Sequence, residues 1–201
     1  MNFLAHLYLS GSNENLMIGN FIADHVKGDG ITKFNTGIQQ GIKLHRAIDT
    51  FTDSHPEYLK SKSRLIANYR KYSGVVADMF YDHFLSANWQ NYSQEPLDLF
   101  TDRIHAVIIK HYPILPDRSQ RFVAYMNKFN WLKGYGTLEG LGRALSGMAI
   151  RTPFKSGIEN AVSDLKKDYT HYKSEFEFFF PAICEYAKQW IEVNIFTNRA
   201  E

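Results

Sequence analysis

The sequence predicts an all-α fold, a helical bundle formed as a single domain over residues 1–201. Three observations carry that expectation. Apolar residues recur at steps of three and four through most of the chain. Alternating apolar–polar runs and Asn-Gly hairpin signals are missing. Only 6 Pro and 13 Gly interrupt the 201 residues, too few for a disordered, collagenous or linker-rich chain.

The elements follow in order. Glu14 to Val26 reads as a helix stopped by Lys27-Gly28-Asp29-Gly30. Asn35 to Thr52 is a second, with Ile38, Ile42 and Ile48 at helical spacing and Pro56 beyond its end. Ser61 to Tyr72 is a third, closed by Ser73-Gly74. Val75 to Trp89 is a fourth, so apolar (Val75, Val76, Met79, Phe80, Phe84, Leu85) that it leaves little for solvent. Pro96 to Lys110 and Ser119 to Trp131 follow, the first ended by Tyr112-Pro113. Gly134 to Gly147 carries five glycines and reads as a loop with a short helix over Leu138 to Met148. Ser156 to Val193 is a long final helical segment that Pro181 is expected to kink or split.

Composition narrows the function. One cysteine, Cys184, excludes a disulfide framework within the chain and a thiolate zinc cage. Lys and Arg number 23 against 21 Asp and Glu, a net charge of +2 that announces no nucleic-acid partner. The start lacks a cationic n-region, and the greasiest stretch, Phe176 to Cys184, is far shorter than the roughly 20 residues of a membrane span. A soluble, cytoplasmic protein is the expectation. The 30 aromatic residues must fill a core or line a channel.

Ionisable residues stand where apolar ones belong. Ile38 and Ile42 continue, at steps of three and four, to His45, Asp49 and Asp53, so these three project from one helical face, the face the isoleucines mark as buried. Asp82 and His83 flank Met79 in the apolar fourth helix, one turn after Asp78. Asn20 and Asp24 are one turn apart among Leu16, Met17, Ile18, Phe21 and Ile22. His6 sits within Phe3-Leu4-Ala5-His6-Leu7. Buried carboxylates are normally paired or bound to a cation, and bundles build metal sites from facing helices. The donor set is nitrogen and oxygen without sulfur, which suits Mn, Fe, Mg or Zn. Each residue also has a structural reading: His45 and Asp49 as an i, i+4 ion pair, Asp53 as a helix-end residue, Asp78 as a solvated position, His6 and Asp24 as hydrogen-bonding groups.

At these residues the chain resembles the bacterial acyl carrier protein phosphodiesterases. The blocks that carry the resemblance are Met1-Asn2-Phe3-Leu4-Ala5-His6-Leu7, Gly19-Asn20-Phe21-Ile22-Ala23-Asp24, Gly41-Ile42-Lys43-Leu44-His45-Arg46-Ala47-Ile48-Asp49, Thr52-Asp53, Asp78-Met79-Phe80-Tyr81-Asp82-His83-Phe84-Leu85 and Leu145-Ser146-Gly147-Met148-Ala149. The resemblance implies a bundle like that of the HD phosphohydrolases, a divalent metal, typically Mn²⁺, and hydrolysis of the 4′-phosphopantetheine–serine phosphodiester of holo-acyl carrier protein to apo-acyl carrier protein and 4′-phosphopantetheine. One departure stands out: the adjacent His-Asp pair of HD enzymes is reversed here as Asp82-His83.

That chemistry assigns Asp24, His45, Asp49 and Asp82 as metal ligands. His6 or His83 is a further ligand, a supporting partner or the general acid for the leaving serine. Arg46 is a phosphate clamp, with a solvated or ion-paired arginine as the plain alternative. An acidic protein substrate calls for basic docking surfaces: Lys60, Lys62, Arg64, Arg70 and Lys71; Arg118, Arg121, Lys128 and Lys133; or Arg143 and Arg151. Tyr125, Phe129, Trp131 and Tyr135 are candidates to line a pantetheine channel. Two other functions fit the same residues, an HD-type hydrolase of a nucleotide or other small phosphoester and a helical protein that binds acyl carrier protein without catalysis.

Overall fold

The computed structural model describes residues 2–129, 131–152 and 154–196. Among these residues the chain forms eleven α-helices joined by short turns, with no strand. They are α1 (Phe3–Leu9), α2 (Glu14–Ile22), α3 (Thr36–Ser54), α4 (Pro56–Tyr69), α5 (Ser73–Ala87), α6 (Leu97–Lys110), α7 (Asp117–Phe129), α8 (Trp131–Gly134), α9 (Leu138–Arg151), α10 (Ala161–Lys167) and α11 (Tyr169–Ile191).

Local chemistry sets most ends. Asn2, Asn13 and Asn35 cap α1, α2 and α3, each side-chain oxygen accepting a backbone N–H of the first turn. The chain leaves α1 through Ser10 and turns at Gly11, whose φ of +65° favours glycine. Pro56 opens α4 instead of merely following α3. His55 caps that helix, and a proline at the first turn gives up an N–H that had no helical partner. Two other expectations shift. The fourteen residues from Leu138 run as one helix to Arg151, past Met148. The final segment divides at Asp168 between α10 and α11, while α11 passes unbroken through Pro181. Pro181 is exposed, as is Glu177, whose carbonyl it leaves without a helical donor, and Phe176, Phe179, Phe180 and Ile183 anchor both sides in the core.

α5 is the central rod. Every residue from Met79 to Ser86 is buried, and α1, α4, α9 and α11 pack around it. Much of the aromatic content stacks between α5 and α11: Phe84 lies 5.7 Å from Phe176, Tyr81 5.5 Å from Phe176 and Tyr81 5.3 Å from Phe179.

The crossing of α2 and α3 positions the site. Gly19 and Gly41 face each other there. A Cβ on Gly19 would stand 2.1 Å from the Ile38 carbonyl oxygen, and one on Gly41 2.4 Å from that of Leu16. Backbones approach this closely only where both residues lack a side chain, so the glycines bring Asn20 and Asp24 against His45 and Asp49.

Candidate metal centre

α1, α2 and α3 each deliver polar groups to one pocket of ≈ 220 Å³, lined by His6, Asn20, Asp24, His45, Asp49, Thr52, Asp53, Tyr58 and Asp78 together with Asn2 and Phe3. His6 comes from α1, His45 and Asp49 from α3. The two imidazoles stack, their centroids 4.0 Å apart and their planes at 18°. Asp49 bridges them: Oδ1 lies 3.2 Å from His6 Nε2 and Oδ2 3.1 Å from His45 Nε2. Asp24, exposed at the end of α2, places Oδ1 3.4 Å from the same His45 nitrogen.

Asn20 fixes the orientation of His45. Its side-chain NH₂ donates to the His6 carbonyl (2.9 Å) and to Ser10 Oγ (3.0 Å), so its Oδ1 faces His45. His45 Nδ1 stands 2.9 Å from that oxygen and 3.0 Å from the Asn20 carbonyl. Both are acceptors, so Nδ1 carries a proton and donates. Nε2 is thereby turned to the carboxylates. His6 is 3% exposed, yet neither ring nitrogen makes a hydrogen bond; Asp49 is near enough for an ion pair but outside hydrogen-bond geometry.

Electrostatics bind these groups into one unit. Burial and the neighbouring His45 push His6 down to about 4. Burial works against a charged His45 too, but Asp24 and Asp49 outweigh it and lift the ring to about 9. Burial also opposes the Asp49 carboxylate, and the two imidazoles overcome it, holding Asp49 far below the usual carboxylate range. His6, His45 and Asp49 bring donor atoms within 4.8 Å of one another, so they fit a divalent cation. The fit is chemical as well as geometric: a buried imidazole with no hydrogen bond and a bridging carboxylate are nitrogen and oxygen donors lacking a partner between them.

Of the remaining residues singled out in the sequence, Asp82, His83 and Arg46 fall elsewhere. Asp82 is fully buried beneath the N-terminus of α1. Its Oδ2 accepts the Leu4 N–H (2.8 Å), and its Oδ1 those of Asn2 (3.3 Å) and Ala5 (3.4 Å). Burial raises this carboxyl to about 7, despite those backbone donors. Asp82 thus supports the helix that carries His6 and stands outside the His6–His45–Asp49 group. His83 points to another side of α5. Its Nδ1 donates to the Tyr135 carbonyl (2.7 Å), and its Nε2 lies 3.2 Å from the Tyr169 hydroxyl. Arg46 donates to the Val26 carbonyl (3.3 Å) and does not line the pocket. Asp53 and Asp78 do line it, Asp53 paired with Lys62 (2.9 Å) and Asp78 accepting the Tyr58 hydroxyl (2.7 Å).

Among the basic clusters, Lys60, Lys62 and Arg64 are paired with Glu57, Asp53 and Glu175, Lys133 with Asp98 and Asp102, and Arg143 with Glu139. Tyr135 is buried against α5. The side chains of Tyr125, Lys128, Phe129 and Trp131 lie outside the described residues. Asn20 and Tyr58 have no role in the sequence reading. For Asn20 a signal existed, its one-turn spacing from Asp24; for Tyr58 there was none, because it meets Asp78 only through packing of α4 on α5.

The family model described as acyl carrier protein phosphodiesterase matches residues 1–183. Three curated proteins of that name resemble the chain. The one from Serratia proteamaculans is 31% identical, that from Yersinia enterocolitica 32% and that from Enterobacter sp. (strain 638) 35%. Each alignment covers 94% of this chain and 98% of the relative. No solved structure gives a significant match.

Proposed function

The chain belongs to the acyl carrier protein phosphodiesterase family, and from that premise we propose that its His6–His45–Asp49 group, with Asp24 at the mouth, holds a divalent metal and hydrolyses the phosphopantetheine linkage of holo-acyl carrier protein. It is a phosphodiester hydrolase that converts the holo form to the apo form. The metal of this reading is Mn²⁺, which the oxygen and nitrogen donors suit. An acyl carrier protein substrate fits a cytoplasmic setting, and no helix among the described residues is long and apolar enough to cross a membrane.

One observation carries the metal reading. Four carboxylates line the pocket (Asp24, Asp49, Asp53 and Asp78), and no Lys or Arg is among the lining residues. A phosphodiester is itself an anion and would be repelled from such a surface. When bound, a divalent cation supplies positive charge against the phosphoryl oxygens and a water whose pKa falls to about 7.

The chain's own residues do the positioning. Asn20 holds the Nδ1 proton of His45 and so keeps Nε2 available as a donor atom. Asp82 fixes the first turn of α1 and with it His6. Asp53 and Asp78 sit along the same pocket as Asp49, where a carboxylate can take a proton from an attacking water. His83 and Arg46 lie away from that pocket and serve its surroundings.

Intact-mass analysis of holo-acyl carrier protein, incubated with this protein and Mn²⁺, tests the reading. Loss of the phosphopantetheine mass with wild type and not with Asp49→Asn supports it. Intact holo-carrier after incubation with folded, metal-loaded wild type overturns it and leaves a small phosphoester as the substrate class.

A further inference from the structure

We propose that a second, apolar cavity beside the acidic pocket is the seat of the substrate's pantetheine arm. This deepens the function proposed above and rests on it. The cavity measures ≈ 550 Å³ and runs between the start of α1 and the helices α7, α8 and α9. That size falls within the roughly 300–1,000 Å³ of small-molecule sites. Its walls differ in kind from those of the metal pocket. Phe122, Tyr135, Ala144, Met148 and Ile150 line it, and among the described residues no carboxylate does.

The two cavities adjoin across a shared wall. Asn2 and Phe3 line both. Phe3 lies three residues before His6 on α1, so one helical turn, about 5 Å, separates the shared wall from the metal donor. Phe3 is itself fixed there. It stacks on Phe122 at 4.6 Å and meets Phe21 at 5.8 Å. A molecule whose phosphate sits at His6, His45 and Asp49 therefore has this apolar cavity next to it, across Asn2 and Phe3.

The chemistry of the arm matches that cavity. Beyond its phosphate, pantetheine is neutral: a gem-dimethyl carbon, a hydroxyl, two amides and short methylene runs. Apolar walls favour the methyl and methylene groups. Arg143 and Arg151 also line the cavity, Arg143 paired with Glu139 and Arg151 donating to the Gly147 carbonyl, and a guanidinium has five N–H groups, more than one such contact uses. Ile150 is 85% exposed at the same edge, an apolar side chain left uncovered where an incoming arm would lie. The carrier protein, on the other ester oxygen, would then remain on the open side of the acidic pocket.

The test narrows the cavity from its surface with Ser146→Trp. Ser146 is exposed, so the larger ring is accommodated without disturbing the core, and a melting curve checks this. Two substrates are compared with Mn²⁺ present: holo-acyl carrier protein, and bis(p-nitrophenyl) phosphate, a diester with no arm. The expected result is a fall of about tenfold in the ratio of kcat/KM for the carrier to kcat/KM for the small diester, carried by KM. Free pantetheine is expected to inhibit wild type competitively and Ser146→Trp more weakly. An unchanged ratio, with wild type cleaving the carrier normally, overturns the cavity assignment alone. Wild type that cleaves the small diester and leaves the carrier intact overturns the function, and the cavity's occupant with it. Should Ser146→Trp melt early, Ala144→Leu takes its place in the same comparison.

Discussion

Asp49 and Asp82 are carboxylates of two helices, α3 and α5, and the molecule uses them in opposite ways. Asp49 faces two imidazoles, which hold it ionised far below its ordinary range. Asp82 faces backbone N–H groups in a fully dry setting, and burial lifts it to about 7. Each lies at helical spacing from apolar residues, Asp49 from Ile38 and Ile42 and Asp82 from Met79, so the residue type alone does not separate them. What a buried carboxylate touches decides whether it serves a cation or a helix end.

The largest break in this contrast comes from Asp49→Asn, which removes the bridge between His6 and His45. Partners that merely support metal ligands are worth 10–100-fold, so a loss of more than ~100-fold in kcat is expected, with Mn²⁺ retention falling in equilibrium dialysis. Gly41→Ala attacks the same group from behind. Its Cβ would meet the Leu16 carbonyl at 2.4 Å, and such overpacking costs about 1–3 kcal/mol. Denaturant melts should show that loss, along with weaker metal binding as Asn20 withdraws from His45.

Asp82→Asn acts on the other carboxylate. It keeps one oxygen for three backbone donors and strands at least one of them, at about 1–3 kcal/mol. The pH dependence sharpens the comparison. The folded Asp82 carboxyl titrates above its unfolded value, so the folded chain binds the extra proton between about pH 4 and pH 7. Stability from this group is therefore full below pH 4 and declines as pH rises to 7. Asp49 has the opposite sign: its contribution is present above about pH 4 and is lost as pH falls further. Melting temperatures of wild type and Asp82→Asn across pH 4 to 8 should converge as pH rises, and parallel curves would refute the assignment. The smallest effect is expected from His83→Gln, whose ring lies against Tyr135 and Tyr169. Its kcat should stay within about threefold of wild type, because it touches no reacting group.

The sequence made some of this legible. The stripe Ile38, Ile42, His45, Asp49 identified a buried polar face because α3 is one unbroken helix, where steps of three and four keep their direction. Asn35 marked the start of α3 through local chemistry, whereas α2 ends at Ile22, before the Val26 and Gly28 expected to close it. Asp82 and His83 were harder. Neighbours on a helix point about 100° apart, so the two serve α1 and α8–α9 separately, and nothing in the spacing says which side holds the metal. His6 could not be paired with His45 from sequence, since their stacking depends on how α1 lies across α2 and α3. The path of α11 through Pro181 and the start of α4 at Pro56 were likewise decided by packing and capping, which outweigh the general reputation of proline.

The glycine contact between α2 and α3 bears on how the chain acquires its shape. His6, Asp24, His45 and Asp49 all lie before the end of α3, on three successive helices. Loop-closure entropy grows only with the logarithm of the intervening length, so joining these residues costs little chain entropy. An ion captured there ties the amino-terminal hairpin shut and shifts the folding equilibrium by mass action. Supply of that ion would then govern not only turnover but how long newly made chains survive.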